Sequence, residues 1–430
     1  MTLVYSHSNL SAIWLAQATE HEKYVGMTGN SRDEMTEEER DEHIRKLRLN
    51  CGWFQYIKVM SFFVSNCFAV PWRFVFDETT QTFRVSSPGW QKKIYIGLEL
   101  TSLVLAKYRI LNGIEVARTS KGDAFSFFDL ASIFAIHVFE FACKILWWSR
   151  RERLQELIDE VQSSPLLKVA SPNSNWRIWF HTGLFFFYMF TPYFYYCLMW
   201  GMVHWNWNDF YEVMQTSGEK VWGIEKSWES SRFYPVLLAL NCFANLHSNV
   251  LNHCNDMMSV SWSLFMFNIA YDIREGMKSE KFTDREVLEM IDAQKRVTIK
   301  FNRTFGLILT MYSMYCSPFY AIHLIDMIGS PGFMNRYSNG LYLLYLGSFL
   351  CALSKITIMA KKRKRWLEKN SRYLHISHQQ LAFLLDDIEW ERFGVGGFVF
   401  ISSALTSDIV SQISTMSMLL INIKGDRTSG

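Results

Sequence analysis

Residues 178–203 read IWFHTGLFFFYMFTPYFYYCLMWGMV, a run of 26 residues without Asp, Glu, Lys or Arg. An α-helix needs about 20 apolar residues to cross the hydrocarbon core of a bilayer. Comparable runs occur elsewhere: residues 304–325 contain no acidic or basic residue, residues 233–271 contain only Asp256, and residues 393–423 contain only Asp408. These runs predict an all-α membrane protein.

The composition agrees with that prediction. Phe, Tyr and Trp make up 16% of the 430 residues, which is typical of helices that contact lipid and its interfaces. The net charge of +3 argues against nucleic acid as a partner. The eight cysteines are scattered through apolar segments, so neither a disulfide scaffold nor a metal site is indicated. A soluble enzyme and a disordered chain are also excluded, and no cofactor motif is found.

The apolar pattern predicts seven transmembrane helices and several segments outside them. The spans are residues 94–113, 125–147, 178–203, 233–271, 301–325, 339–360 and 395–423. The other predicted segments are a polar N-terminal segment at 1–51, a re-entrant or interfacial helix at 52–76, a helical extension at 272–300 and an anchor helix at 361–394. Spans one to four together occupy residues 94–271, spans five and six occupy 301–360, and the seventh span follows the anchor helix.

The distribution of Lys and Arg predicts the orientation. With a cytoplasmic N-terminus, the inner segments carry 21 Lys and Arg residues and the outer segments carry 8. The run KKRKR at 361–365, directly after a span, contributes most to this difference. The positive-inside rule therefore places the N-terminus, the 272–300 extension and the anchor helix in the cytoplasm and the C-terminus outside.

Two further features lie on the spans. The second span carries Glu140 and Lys144, which are one helical turn apart and are expected to pair. The last span carries a stripe at spacings of three and four residues, which places its members on one helical face. The members are Asp408, Ser411, Thr415, Met418 and Asn422. Such a stripe fits a pore-lining face or, equally well, close helix packing through small polar residues.

The C-terminal run Thr415 to Ile423 resembles the signature of the invertebrate gustatory receptor family. That signature is Thr-Tyr, five hydrophobic residues, then Gln-Phe; the spacing is kept, with Met416, Asn422 and Ile423 at the Tyr, Gln and Phe positions. Gly397-Phe398, the stretch around Pro71 and the segment Arg153 to Leu157 are also similar to this family.

The resemblance implies a seven-helix chemoreceptor related to insect odorant receptors. Such a receptor forms a homo- or hetero-tetramer in the plasma membrane of sensory cells and opens as a ligand-gated, non-selective cation channel. Lipid, a small-molecule ligand, and monovalent and divalent cations would be its partners. Carried over to this chain, the resemblance implies that Asn422 is the polar pore residue and that Leu419 and Ile423 form the gate.

The resemblance also implies that spans one to four, residues 94–271, form a ligand-binding bundle and that the seventh span lines the pore. The ligand pocket would lie among spans two to six, in the outer half of the bundle. Its candidates are the aromatic and polar side chains of those spans. They are Phe128, Asp129, Ser132, Tyr193, Tyr196, Trp200, Asn241, Asn245, Tyr315, Tyr320, Tyr342 and Tyr345. A cavity lined by aromatic rings with a few polar groups is a usual small-molecule site, although each ring could equally serve in packing.

Other functions stay open at this point. A tryptophan-rich member of the same family could sense light or peroxide, and 16 tryptophans fit that alternative. A G-protein-coupled receptor has the opposite orientation, and a secondary transporter is expected to have internal inverted repeats, which are not found. A non-channel subunit of a heteromeric receptor is a further alternative.

Overall fold

The computed structural model describes residues 36–119, 124–203, 207–278, 282–329, 333–370, 378–390, 393–395, 399–401 and 403–425. These residues are mostly helical, as predicted. The helices are α1 Glu37–Asn50, α2 Gly52–Asn66, α3 Gly89–Thr119, α4 Ala124–Ser149, α5 Arg151–Ser163, α6 Trp176–Val203, α7 Trp207–Trp222, α8 Tyr234–Lys278, α9 Asp284–Gly329, α10 Phe333–Asn370, α11 His378–Trp390 and α12 Ser403–Gly425. The strands are β1 Arg73–Asp77, β2 Thr82–Ser86, β3 Phe393–Val395 and β4 Val399–Ile401, paired antiparallel as β1–β2 and β3–β4.

The long helices pack around one hydrophobic core. The core is continuous from Trp53 of α2, through Trp262 of α8 and Phe305 of α9, to Ile413 of α12. Within it, the rings of Trp262 and Phe305 stack with centroids 4.4 Å apart. By length and composition, the segments Ser126–Ser149 and Asn339–Asn370 are apolar enough to cross a membrane, among the residues that the structure describes.

The helices α8, α9 and α10 are longer than the predicted spans. Helix α8 has 45 residues and α9 has 46, so each is about 68 Å long, more than twice the thickness of a bilayer core. The predicted extension at 272–300 is therefore divided between the end of α8 and the start of α9. Helix α9 begins at a capping box, in which Thr283 and Glu286 each accept a hydrogen bond from the other's backbone N–H.

The predicted interfacial helix at 52–76 ends earlier, at Asn66, and is followed by the β1–β2 hairpin. Strand TFRVS alternates apolar and polar residues, RFVFD has three apolar residues in a row, and Phe74 and Phe83 stack with centroids 4.9 Å apart. Glutamine side chains of α5 cover the outer edge of the hairpin: the N–H groups of Phe83 and Val85 donate to Gln162 at 2.9 Å and Gln155 at 2.6 Å. An edge strand is stable when its backbone groups are satisfied in this way.

The second hairpin also differs from the prediction. Residues Phe393–Val395 and Val399–Ile401 are strands, so the helical part of the predicted 395–423 span begins at Ser403. Gly397 and Phe398, which carry part of the family resemblance, lie outside the described residues.

Helix α5 is tied to the start of α9 by an ion cluster. The Glu160 carboxylate accepts from Arg296 Nε at 2.8 Å and lies 3.0 Å from Lys300 Nζ. Partial burial alone would raise the pKa of Glu160, but these hydrogen bonds and charges outweigh it, and the pKa lies below its usual value. The carboxylate is therefore ionised, and the cluster intact, at neutral pH.

A buried carboxylate joins four segments of the chain. Asp272 of α8 accepts from Trp53 Nε1 of α2 at 2.7 Å, and from the backbone N–H and hydroxyl of Ser171 at 2.9 and 2.8 Å. It also pairs with Arg177, at the start of α6, whose guanidinium lies 4.1 Å from the centroid of the Tyr271 ring. Close by, burial raises the pKa of the Cys51 thiol to about 12, so this cysteine is an unreactive core residue.

Replacing Asp272 is expected to destabilise the protein strongly. In Asp272→Ala the buried Arg177 charge loses its partner, which costs about 3–5 kcal/mol. The check is the apparent Tm of the purified full-length protein in detergent. Glu275→Ala is the matched control, because Glu275 lies one turn away in half-exposed pairs with Arg274 and Lys278, each worth about 1 kcal/mol or less. Equal shifts in Tm for the two variants would contradict the role of Asp272.

Candidate functional site

Helix α12 has one buried face and one exposed face. Ile409, Ile413, Ser417 and Leu420 are buried at spacings of four, four and three residues. Ser417 Oγ donates to the carbonyl of Ile413 at 2.7 Å and also lies 3.3 Å from the carbonyl of Ala321, which brings α12 into contact with α9. This face fixes the rotation of α12 about its own axis.

The predicted stripe lies on the opposite face. Asp408, Ser411, Thr415, Met418 and Asn422 are all exposed in the single chain, and so is Leu419. Apolar side chains share this face, with Met418 68% and Leu419 53% exposed. The side chain of Ile423 lies outside the described part of the structure. The exposed face of α12 is therefore a mixed polar and apolar strip that the described part of the chain does not cover.

Charged side chains form a second cluster inside the bundle. The sequence predicts that Glu140 pairs with Lys144, but Lys144 Nζ lies 2.5 Å from Glu99 Oε2 of α3, and Glu140 lies 3.1 Å from Nδ1 of His137. Lys144 also donates to Ser102 Oγ at 3.2 Å. Lys144 pairs with Glu99 and not with Glu140 because its side chain is directed across the α3–α4 contact, where a carboxylate and a hydroxyl both face it.

Tyrosines of α6, α9 and α10 form an aromatic cluster. The hydroxyl of Tyr345 donates to the carbonyl of Tyr188 at 2.9 Å, and the Tyr188 hydroxyl donates to the carbonyl of Leu344 at 3.2 Å. The hydroxyls of Tyr312 and Tyr320 are 2.7 Å apart. Buried hydroxyls need partners, and these bonds fix the register of α10 against α6.

A histidine lies at the less buried edge of the same cluster. The His323 ring stacks on the Tyr342 ring with centroids 4.5 Å apart. The centroids of His323 and Phe319 lie 4.2 Å apart, in an edge-to-face arrangement. Its Nδ1 is 2.5 Å from Oδ1 of Asn339; since an amide oxygen only accepts, Nδ1 carries the hydrogen. The cluster thus combines aromatic faces with an imidazole and an amide, which suits recognition of a small aromatic molecule.

The structure divides the predicted pocket residues into groups. Tyr320, Tyr342 and Tyr345 belong to the aromatic cluster, whereas Asn241 and Asn245 bond to α7, at Met214 and Ser217. Ser132 is buried, and Phe128 packs against Ile322, Ile325 and Leu420.

The remaining pocket candidates have described backbones, but their side chains lie outside the described part of the structure. They are Asp129, Tyr193, Tyr196, Trp200 and Tyr315. The sequence interpretation missed Tyr188, His323 and Asn339; the signal available was the presence of a histidine and an asparagine within apolar helices.

Together, this bundle and its site define a protein with the fold of an insect olfactory receptor. The structure of the olfactory receptor OR5 from Machilis hrabei is similar, with a TM-score of 0.58 and 9% identity, over 86% of this chain and 98% of that chain. The structure of that receptor in complex with eugenol gives a TM-score of 0.53 with the same identity and coverage. At this identity the likeness shows the fold. No protein-family model matches the chain, and no curated protein sequence matches it.

The Glu99–Lys144 pair gives a test of the bundle. Lys144→Met leaves a largely buried carboxylate without its cation, and we expect a loss of about 3–5 kcal/mol in stability. The double variant Glu99→Leu, Lys144→Met removes both charges and should recover most of that loss. Apparent Tm values of wild type, both single variants and the double variant complete the cycle. A double variant that is as unstable as the worse single variant would show that the two residues do not act as a pair.

Proposed function

We propose that this chain is a chemosensory receptor of the insect gustatory and odorant receptor superfamily that works as a ligand-gated, non-selective cation channel. The observation that carries the proposal is the fold, which matches an insect olfactory receptor over 98% of that receptor's length. The signature-like run from Thr415 to Ile423 on α12 supports the gustatory subtype.

In the proposed topology, the seven spans are α3, α4, α6, α8, α9, α10 and α12. Their order and the excess of Lys and Arg in alternate connections support a cytoplasmic N-terminus and an extracellular C-terminus. The ends of α8, α9 and α10 that exceed the bilayer thickness would then lie in the cytoplasm with α1, α5 and α11, as an anchor for assembly.

Four copies arranged about an axis would enclose the exposed face of α12. Asn422 would contribute a ring of amides and Asp408 a ring of carboxylates, which favours cations. Leu419 and Ile423 are the proposed gate, because apolar rings close a pore by excluding water. The proposed ligand site is the aromatic cluster of α6, α9 and α10. Eugenol, the ligand of the similar receptor, has the size and aromatic character that such a cluster accepts.

The proposal is tested by whole-cell recording from cells that express this chain alone. Tastants, small phenols, peroxide and short-wavelength light are applied in turn, so that the light-sensing and peroxide-sensing alternatives are tested in the same assay. We expect a stimulus-evoked cation current in wild type, with altered ion selectivity or conductance in Asn422→Ala, since that substitution removes the polar ring.

Met416→Ala is the control for this recording. Met416 is half-buried against the core beside the exposed face, so its truncation should change permeation less than Asn422→Ala does. Equal, small effects of both substitutions would contradict the pore assignment. A C-terminal epitope that is accessible only from the cytoplasm would contradict the topology and favour a G-protein-coupled receptor. Surface expression without current would favour a subunit that needs a partner.

A further inference from the structure

A cavity lies between α3, the segment after α7 and the first turns of α8, and none of its lining residues belongs to the aromatic cluster. Its volume is about 480 Å³. Ligand pockets usually measure about 300–1,000 Å³, so the cavity is large enough for a small organic molecule. Of the residues in the predicted pocket, it contains only Asn241 among those described.

The cavity exists because the chain folds back after α7. Gly223 has φ +67, a left-handed conformation that glycine adopts without strain, and the N–H of Ile224 donates to the carbonyl of Gly218 at 3.2 Å. Trp222 Nε1 then donates to Asn241 Oδ1 at 2.9 Å. These bonds hold Trp222 and the following segment over α8, and Trp228 completes this wall.

The walls are apolar on the side away from the core. Leu98 of α3 and Leu237, Leu240 and Phe243 of α8 line the cavity, and Leu240 and Phe243 are 58% and 55% exposed at the bundle surface. In a membrane-spanning bundle that surface faces lipid. An apolar molecule dissolved in the bilayer could therefore enter from the side.

The inner wall carries a hydrogen-bond acceptor. His247 Nε2 lies 3.0 Å from the carbonyl of Cys67. A carbonyl only accepts, so Nε2 carries the hydrogen and Nδ1 of the neutral ring is an acceptor. Nδ1 has no hydrogen-bond partner within the part of the chain that the structure describes.

The same wall carries a donor. Ser102 Oγ accepts from Lys144 and lies 3.5 Å from Ser248 Oγ. Because Ser102 is oriented by the lysine, it can direct its own hydrogen toward Ser248, which leaves the Ser248 hydroxyl able to donate into the cavity. One donor and one acceptor on consecutive residues of α8, both lining the cavity, match a single hydroxyl group, which both accepts and donates.

We infer that this cavity is a second small-molecule site, which binds a compact apolar alcohol or phenol with its hydroxyl between His247 and Ser248. The inference does not depend on channel activity. The helices that line this cavity, α3 and α8, are not those of the aromatic cluster.

The test uses a diazirine analogue of thymol as a photo-cross-linking probe on the full-length protein in lipid nanodiscs. Labelled peptides are identified by mass spectrometry. We expect labels on residues 98–102 and 222–248 that excess thymol displaces. Ala244→Trp fills the cavity, since Ala244 lines it, and should reduce labelling about tenfold. Val236→Trp, at a 54% exposed position of the same helix outside the cavity, should leave labelling unchanged.

A second variant keeps the test independent of the bulky substitution. Ser248→Ala adds no volume and should weaken displacement by thymol about fivefold, the effect of one hydrogen bond. Labels confined to α6, α9 and α10, or labels unchanged by Ala244→Trp and Ser248→Ala, would overturn the inference. Displacement of the probe by a phospholipid acyl chain but not by thymol would also overturn it. Since labelling requires no current, failure here is distinguishable from failure of the proposed channel function.

Discussion

The ion pair between Asp272 and Arg177 determines how the bundle is assembled. A buried carboxylate is tolerated only when its oxygens are paired and hydrogen-bonded, and Asp272 meets this requirement with groups from α2, the segment before α6, and α6 itself. Arg177 precedes the apolar run of α6 by one residue. The pair therefore sets where α6 begins beside α8. Because Tyr188 is eleven residues further along α6, the pair also sets the position of Tyr188 along the bundle relative to Tyr345 of α10.

Close backbone approaches reinforce this junction. A Cβ on Gly52 would lie 2.9 Å from the carbonyl oxygen of Pro172, and a Cβ on Gly276 would lie 2.5 Å from Cγ1 of Val169. In both places the neighbouring group is held in position: the N–H of Gly52 donates to Ser171 at 2.9 Å, and Val169 belongs to the turn after α5. The junction that holds Asp272 thus leaves no room for side chains at these two glycines.

The sequence predicts the helices well, because a long uncharged run can satisfy its backbone only as a helix in a membrane. It predicts partners across helices poorly. Lys144 has an acidic residue one turn away on its own helix, yet its partner is Glu99, because the rotation of α3 against α4 decides which carboxylate faces it. The β1–β2 hairpin was missed for a related reason: its edge is satisfied by Gln155 and Gln162 from a helix some 70 residues away, and no local pattern reveals that partner.

The two candidate sites also differ in how far the sequence alone predicts them. A stripe on one helix depends only on the helical repeat, so the side of α12 that carries Asp408 and Asn422 follows from spacing, while its role as a pore stays a prediction. The aromatic cluster depends on the register of three helices, and spacing alone could not indicate that Tyr320 bonds Tyr312.

The composition of the exposed α12 face limits the surroundings in which this helix is stable. A face toward lipid should be apolar and a face toward water polar; Met418 and Leu419 beside Thr415 and Asn422 satisfy neither condition alone. A mixed face of this kind is satisfied when neighbouring copies cover its apolar part and its polar part borders water, which is the arrangement that the proposed channel would give α12.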